Sequence, residues 1–312
     1  MPDIQFQRRT NGSALTRTKK PIQTTQFPFT LNANIGCLYK CSYCYLQSPP
    51  FSFQTDFGNE VRIKTDLPRK LDEELFKHSQ LPAYIKRVQI NEATEGYLPQ
   101  TIQAAKEHLG RDLMAEILQT FRKHWRLGNR WMLHLVTKSH LILNHIDLIE
   151  EMRDQLQVEL TITTLDERLA RKVEGVAPSV SKRLDVLERF AERDVFVRIM
   201  CMPFIGNKEE AAAIKDTLLD RGAKAFKQKG LNYFDREHLL NGKLALTIGR
   251  VDEKFQDLIY KSGELVLDDS GAPESQILLL PNEKWDSFTQ QSIQRIDSGY
   301  KEMNSYDWGY VN

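Results

Sequence analysis

The stretch Asn34-Ile35-Gly36-Cys37-Leu38-Tyr39-Lys40-Cys41-Ser42-Tyr43-Cys44-Tyr45 decides how this chain is read. It holds three of the four cysteines, spaced C-x3-C-x2-C. Loop spacings of two and three residues let consecutive sulfurs converge on one centre. Soft thiolates select zinc, Cu(I) or an iron–sulfur cluster. Zinc would need a fourth cysteine or histidine to close its tetrahedron, and the next histidine along the chain is His78. A [4Fe-4S] cluster tolerates three protein ligands when its fourth iron is left for a small molecule. The plainer readings are a zinc loop or three unrelated core cysteines.

Working outward, Phe27 to Asn34 (FPFTLNAN) alternates apolar and polar residues, which predicts a strand leading into the loop. Gly36 permits the tight turn between them, and Pro49-Pro50 closes the loop. Residues 51–67 read as irregular, and a short helix covers Leu71 to Phe76. Further strands are predicted at Ile85 to Ile90, Arg130 to Thr137, Gln157 to Thr163, Val195 to Met202 and Ala223 to Phe226. Between them the apolar spacing predicts helices over Gln100 to Arg126 (with a break near Gly110), Leu141 to Gln155, Asp166 to Glu174, Ser179 to Arg193 and Glu209 to Arg221. Strands alternating with helices indicate βαβ units and a parallel sheet. Right-handed crossovers curl such a series into an α/β fold of the full or partial (β/α) barrel type. Chemistry in barrels sits where strands end. Polar residues cluster there: the cysteines, then Glu92 and Thr94, then Lys138 and Ser139, then Thr161 to Thr164.

Three segments follow: a basic N-terminal arm over 1–26, solvated or extended; a core over 27–227; and a C-terminal extension over 228–312. In the extension, Leu244 to Ile248 and Gln276 to Leu280 read as strands and Trp285 to Met303 as a helix. Hydrophobic residues make up 41%, enough for a substantial core, and the net charge of +1 gives no global pull towards nucleic acid. No apolar run approaches the ~18 residues of a membrane span. Met1 to Lys20 is polar and basic, unlike an export signal. Clustered thiols without such a signal point to a reducing cytoplasm. The run Arg122-Lys123-His124-Trp125-Arg126, with Arg130 and Trp131, mixes bases and aromatics as nucleic-acid grooves do. Its place at a helix end makes a solvated face the simpler account. His134 reads as core, and His108, His124 and His140 as surface.

Taken together, these residues resemble the radical S-adenosylmethionine (SAM) superfamily, and within it the spore photoproduct lyase-like branch. The resemblance covers residues 27–206. It rests on Cys37, Cys41, Tyr43, Cys44 and Tyr45; on Thr94, Glu95, Tyr97 and Pro99; on Thr137-Lys138-Ser139; on Thr161 to Asp166, Glu174, Pro178 and Arg183-Leu184; and on Pro203-Phe204-Ile205-Gly206. It implies a partial (β/α)6 TIM barrel and a [4Fe-4S] cluster on Cys37, Cys41 and Cys44, with SAM on the open iron. Reductive cleavage of SAM would give a 5'-deoxyadenosyl radical that takes a hydrogen from a substrate, with electrons from an external donor of the flavodoxin or ferredoxin type. DNA or a nucleotide is one implied substrate class, and a peptide or small molecule the alternative. Lys138 would suit the SAM carboxylate and Glu92 or Glu95 its amino group. Thr94, Ser139, Thr161 and Thr163 would complete the cofactor contacts.

One departure stands out. The spore lyase carries a cysteine after the second strand that returns a hydrogen atom to the product, whereas this chain has Asn91-Glu92-Ala93-Thr94. The remaining thiol, Cys201, reads as a hydrogen donor pointing into the barrel or, more simply, as a small buried hydrophobe. Tyr43 and Tyr45 read as a hydrogen relay or as packing against the loop. Glu174 and Arg183 read as a buried pair supporting the site or as a surface ion pair.

Overall fold

The structure, a computed structural model, describes residues 2–8, 12–18, 27–47, 53–81, 85–202, 204 and 208–228. In order the elements are β1 (Asp3–Gln7), β2 (Thr16–Arg17), β3 (Phe29–Leu31), β4 (Asn34–Ile35), β5 (Glu60–Lys64), α1 (Leu67–Lys77), β6 (Arg87–Ile90), α2 (Pro99–Leu109) and α3 (Leu113–Arg126). There follow β7 (Met132–Thr137), α4 (Ile146–Glu151), β8 (Leu156–Thr161), α5 (Glu167–Val173), α6 (Val180–Glu192), β9 (Val197–Cys201), α7 (Lys208–Asp220) and β10 (Ala225–Gln228).

The main sheet runs β10-β9-β8-β7-β6-β3-β2, and every pairing is parallel except β2 with β3. Its six parallel strands, joined by helical crossovers, make the expected partial (β/α)6 barrel. One face of the sheet is aliphatic. Val88, Ile90, Leu133, Leu135, Val158, Leu160, Val197 and Ile199 are buried in the core that the helices cover. The opposite residues are polar and in register: Thr30 beside Gln89, Gln89 beside His134, His134 beside Gln157, and one step on Glu159 beside Arg198. Buried polar side chains survive only when bonded. Here His134 Nε2 meets Glu159 Oε2 at 2.6 Å, Gln157 Nε2 donates to His134 Nδ1 at 2.7 Å, and Arg198 pairs with Glu159. His134 is core, as expected.

Helix ends follow local chemistry. Pro99 opens α2, and Gly110 closes it in the left-handed conformation. Asp112 then caps α3, accepting from Ala115 N at 3.0 Å. The helix expected over Leu141 to Gln155 is shorter: a 3-10 turn over His140–His145 precedes α4.

A second sheet, β1-β5-β4, was not foreseen. β5 lies in the stretch read as irregular, with Val61 and Ile63 buried, and pairs in parallel with β1. The N-terminal lead-in is therefore extended but not merely solvated at Asp3–Gln7 and Thr16–Arg17. Ala14 and Leu15 are buried, and the Glu74 carboxylate of α1 accepts from their backbone N–H groups. His124, expected at the surface, is buried between Asp72 and Asn129. Pro49-Pro50, most of the segment Pro203 to Gly206, and the elements expected in 228–312 lie outside the described residues. No helix among the described residues is long and apolar enough to cross a membrane.

Candidate cofactor site

The cysteine loop leaves β4 through Gly36, at φ 85°. A Cβ there would lie 2.7 Å from the Glu60 carbonyl oxygen, so only glycine lets the loop pass β5 this closely. The loop then tightens on itself. Cys44 N donates to Cys41 O at 3.0 Å, and the Gln47 side-chain amide donates to Cys41 O, Ser42 O and Cys44 O at 3.0–3.3 Å. Gln47 gave no signal in the sequence, because an exposed-looking glutamine after a motif has many uses.

From the far side the end of α5 clasps the loop. Ser42 N and Oγ both donate to Val173 O, at 2.8 and 2.9 Å, and Val176 N donates to Tyr39 O at 2.9 Å. Gly175, at φ 60°, lies so close that a Cβ would be 2.4 Å from the Tyr39 oxygen. Glu174 points inward from this clasp. Its Oε1 accepts from Tyr43 Oη at 2.5 Å and from Thr163 Oγ1 at 2.9 Å, while its Oε2 pairs with Arg183 Nη2. Glu174 and Arg183 are thus a buried pair, with 2% and 1% side-chain exposure, and not a surface one. Burial disfavours the Glu174 anion, but Arg183, Lys138 and the bonds from Arg183 and Tyr43 more than offset it and hold its pKa below the ordinary range.

Cys37, Cys41 and Cys44 line a cavity of about 180 Å³ together with Tyr43, Tyr45 and Thr94. Glu92, Glu95, Lys138 and Thr161 complete its polar wall, and Asn91, Met200 and Met202 add contacts that the sequence did not single out. Burial raises the pKa of all three thiols, that of Cys41 to about 12, and the neighbouring sulfurs push Cys37 further. A metal centre is the usual way to hold such buried thiols as thiolates. Among the described residues, no three His, Cys, Asp or Glu side chains are grouped to hold a single metal ion. Three thiols line the one cavity, with no histidine among the residues lining it. That donor set fits a cluster with an open position better than one tetrahedral ion.

The sequence-derived residues separate by position. Lys138 turns its ammonium over the Tyr43 ring, 5.3 Å from the centroid. Burial would lower its pKa, but Cys41, Glu174 and Cys44 raise it on balance, so the charge persists. Glu95 is buried and committed: its carboxylate accepts from Tyr97 N, Thr137 Oγ1 and Lys138 N, all within 3.0 Å. It straps the β6 and β7 exits together. Thr94 donates to Gly36 O at 2.5 Å, and Tyr45 donates to Glu92 O at 2.8 Å. Ser139 and Thr163, placed by the sequence among the cofactor contacts, do not line the cavity. Ser139 donates to Tyr97 O and caps the following turn, and Thr163 serves Glu174. Cys201 is fully buried, bonds to Thr163 O at 3.4 Å and also lies off the cavity.

A larger cavity of about 860 Å³ adjoins the first. Tyr45, Leu46, Glu92, Val136 and Met200 line both. The larger one is also lined by Thr30, Gln89 and Glu159 from the polar face of the barrel, and by Asn32 and by Lys64 of β5.

Comparison with known proteins agrees with this geometry. Residues 31–218 match the radical SAM superfamily. An uncharacterised protein of Methanocaldococcus jannaschii is 28% identical over 185 residues, covering 57% of this chain and 62% of its own length. One of Acidianus two-tailed virus is 26% identical over 196 residues, covering 61% and 60%. The chain thus spans roughly three-fifths of these relatives. Among solved structures, a cysteine-to-serine variant of spore photoproduct lyase superposes with a TM-score of 0.54 at 12% identity, covering 95% of this chain and 80% of that one. At that identity the likeness is one of fold.

Proposed function

Because the chain belongs to the radical SAM superfamily, whose cofactors are a [4Fe-4S] cluster and SAM, we propose that the smaller cavity holds both and the larger one the substrate. When bound and reduced, the pair supplies a 5'-deoxyadenosyl radical able to remove a substrate hydrogen. The observation that carries the reading is the single cavity shared by Cys37, Cys41, Cys44 and Lys138. The chain's own residues then have distinct tasks. The cysteines hold the cluster. Lys138, with no carboxylate within ion-pair distance among the described residues, takes the SAM carboxylate. Glu92 or Glu95, both lining the cavity, takes the amino group. Thr161 and Thr94, which also line the cavity, complete the cofactor contacts. That Tyr45 lines both cavities supports reading it as the relay for a hydrogen atom; Cys201 lines neither. A small one-electron carrier of the flavodoxin or ferredoxin type supplies the electron.

The test is anaerobic loading with iron and sulfide, reduction, and assay for 5'-deoxyadenosine. The loaded protein is expected to turn brown and to release 5'-deoxyadenosine and methionine. A colourless protein with stoichiometric zinc, unable to take up iron, would sink the reading.

The spore photoproduct lyase-like fold favours DNA or a nucleotide as substrate. A second class, a peptide or small molecule, is favoured by the pairing of the basic–aromatic run. Arg122 and Arg126 are tied to Glu151, Lys123 to Asp72, and Trp131 is buried. Lesion-dependent, salt-sensitive binding to ultraviolet-irradiated DNA, followed by repair, supports the first class. Absence of that binding beside intact SAM cleavage supports the second.

A further inference from the structure

Two positive and one negative side chain meet beneath the cysteine loop, and only two of them pair. Glu95 and Glu174 are the carboxylates whose charges reach Lys138. Glu95 is already taken by Tyr97 N, Thr137 Oγ1 and the Lys138 backbone N–H, which leaves Glu174 as the competitor for the ammonium. Yet the ion pair of Glu174 is with Arg183, and Lys138 is left against the face of an uncharged ring. The geometry of Arg183 explains this division. One of its guanidinium nitrogens takes Glu174 Oε2 and another donates to Thr161 O at 3.1 Å, anchoring the fork to the end of β8. The other Glu174 oxygen is filled by Tyr43 and Thr163. A carboxylate bonded by three side chains has little left to offer an ammonium. Without Arg183, the same buried carboxylate would be an uncompensated anion, and Lys138 the cation at hand to neutralise it.

We propose that Arg183 is a positioning residue whose task is to occupy Glu174, and so keep the Lys138 ammonium available for a ligand carboxylate. This rests on the reading of Lys138 as the contact for the SAM carboxylate. Tyr43 is the spacer in the device: its hydroxyl is held by Glu174, and its ring presents Lys138 to the cavity. Arginine suits the role and lysine does not, since only a planar fork can bridge Glu174 Oε2 and Thr161 O at once.

The test is a double-mutant cycle on the full chain, anaerobically loaded with its cluster. It is read as SAM affinity by calorimetric titration, and as the change SAM makes in the electron paramagnetic resonance spectrum of the reduced cluster. Arg183→Gln is expected to weaken binding roughly tenfold or more, the loss of one charge-assisted hydrogen bond. Adding Glu174→Gln is expected to restore most of that loss, because the competing anion is gone. No weakening in Arg183→Gln, or equal weakening in the single and double variants, overturns the proposal. Should Arg183→Gln not fold alone, the neutral pair decides: Glu174→Gln with and without Arg183→Gln is expected to bind SAM equally, because Arg183 then has no anion left to occupy. A further loss on adding Arg183→Gln to Glu174→Gln overturns the proposal. Failure of the unaltered protein to bind SAM at all would defeat the proposed function itself; a failed cycle with that binding intact defeats only the role of Arg183.

Discussion

Gly175 illustrates how single residues shape the site. Its left-handed backbone and its approach to the Tyr39 oxygen leave no room for a side chain. Gly175→Ala is therefore expected to cost about 1–3 kcal/mol of stability and to loosen the cysteine loop. Urea unfolding and the iron content after loading would show both; an unchanged midpoint with full iron would refute the close approach. On the proposed reading Cys37, Cys41 and Cys44 act as a unit, so Cys41→Ala alone is expected to remove the characteristic cluster absorbance of the loaded protein, while Cys201→Ala is expected to retain it. At this scale the sequence is legible in what it brings together: Cys37, Cys41, Cys44 and Lys138, singled out by residue type and place, line one cavity. Ser139 and Thr163 lie off it, because a hydroxyl after a barrel strand serves a cap or a carboxylate as readily as a cavity. The pairing of Glu174 with Arg183 could not be told from a surface pair, since burial of a charge depends on what the rest of the chain packs over it.

Among the elements, the junction of α2 and α3 concentrates the most informative electrostatics. Asp112 caps α3 with one carboxylate oxygen and bonds His145 Nε2 with the other, at 2.9 Å. Burial works against its charge, but the His145 bond and the Ala115 N–H outweigh it, and its pKa lies below the ordinary value. A carboxyl depressed in the folded state stabilises above its unfolded pKa and loses that contribution as pH falls below about 4. Asp112→Asn keeps a capping oxygen but not the charge, so its stability should fall less steeply with acid than that of the unaltered protein. Asp112→Ala removes the cap too and should cost about 0.5–2 kcal/mol at neutral pH. Thermal melts between pH 3 and pH 7 would test both, and parallel acid curves for Asn and the unaltered chain would contradict the assignment. Elements with a strong apolar period, such as α3 and β7, were readable in advance. β1 and β5 were not: each is five residues long, and their pairing joins positions almost sixty apart that no local pattern connects.

For the whole molecule, the parallel barrel was legible from the alternation of strands and helices, and its polar lining was only partly so. Aliphatic residues on every strand marked the outer face. On the opposite face His134, Gln157, Glu159 and Arg198 form one bonded network only once the strands are in register. Arg198→Met would strand the Glu159 carboxylate beside His134 in the interior, and should cost about 3–5 kcal/mol in a denaturant titration. A loss below 1 kcal/mol would mean that water reaches this layer. The clasp on the cysteine loop has a further consequence, in the timing of synthesis. Ser42 is bonded to Val173, 131 residues later. A ribosome adding about 5–20 residues per second leaves the cysteine loop exposed for several seconds before its partner exists. The tie across so long a chain segment is also slow to close relative to local structure. A cluster held by Cys37, Cys41 and Cys44, as proposed above, would therefore be inserted late, after α5 has been made, and until then the three thiols would depend on their surroundings to stay reduced.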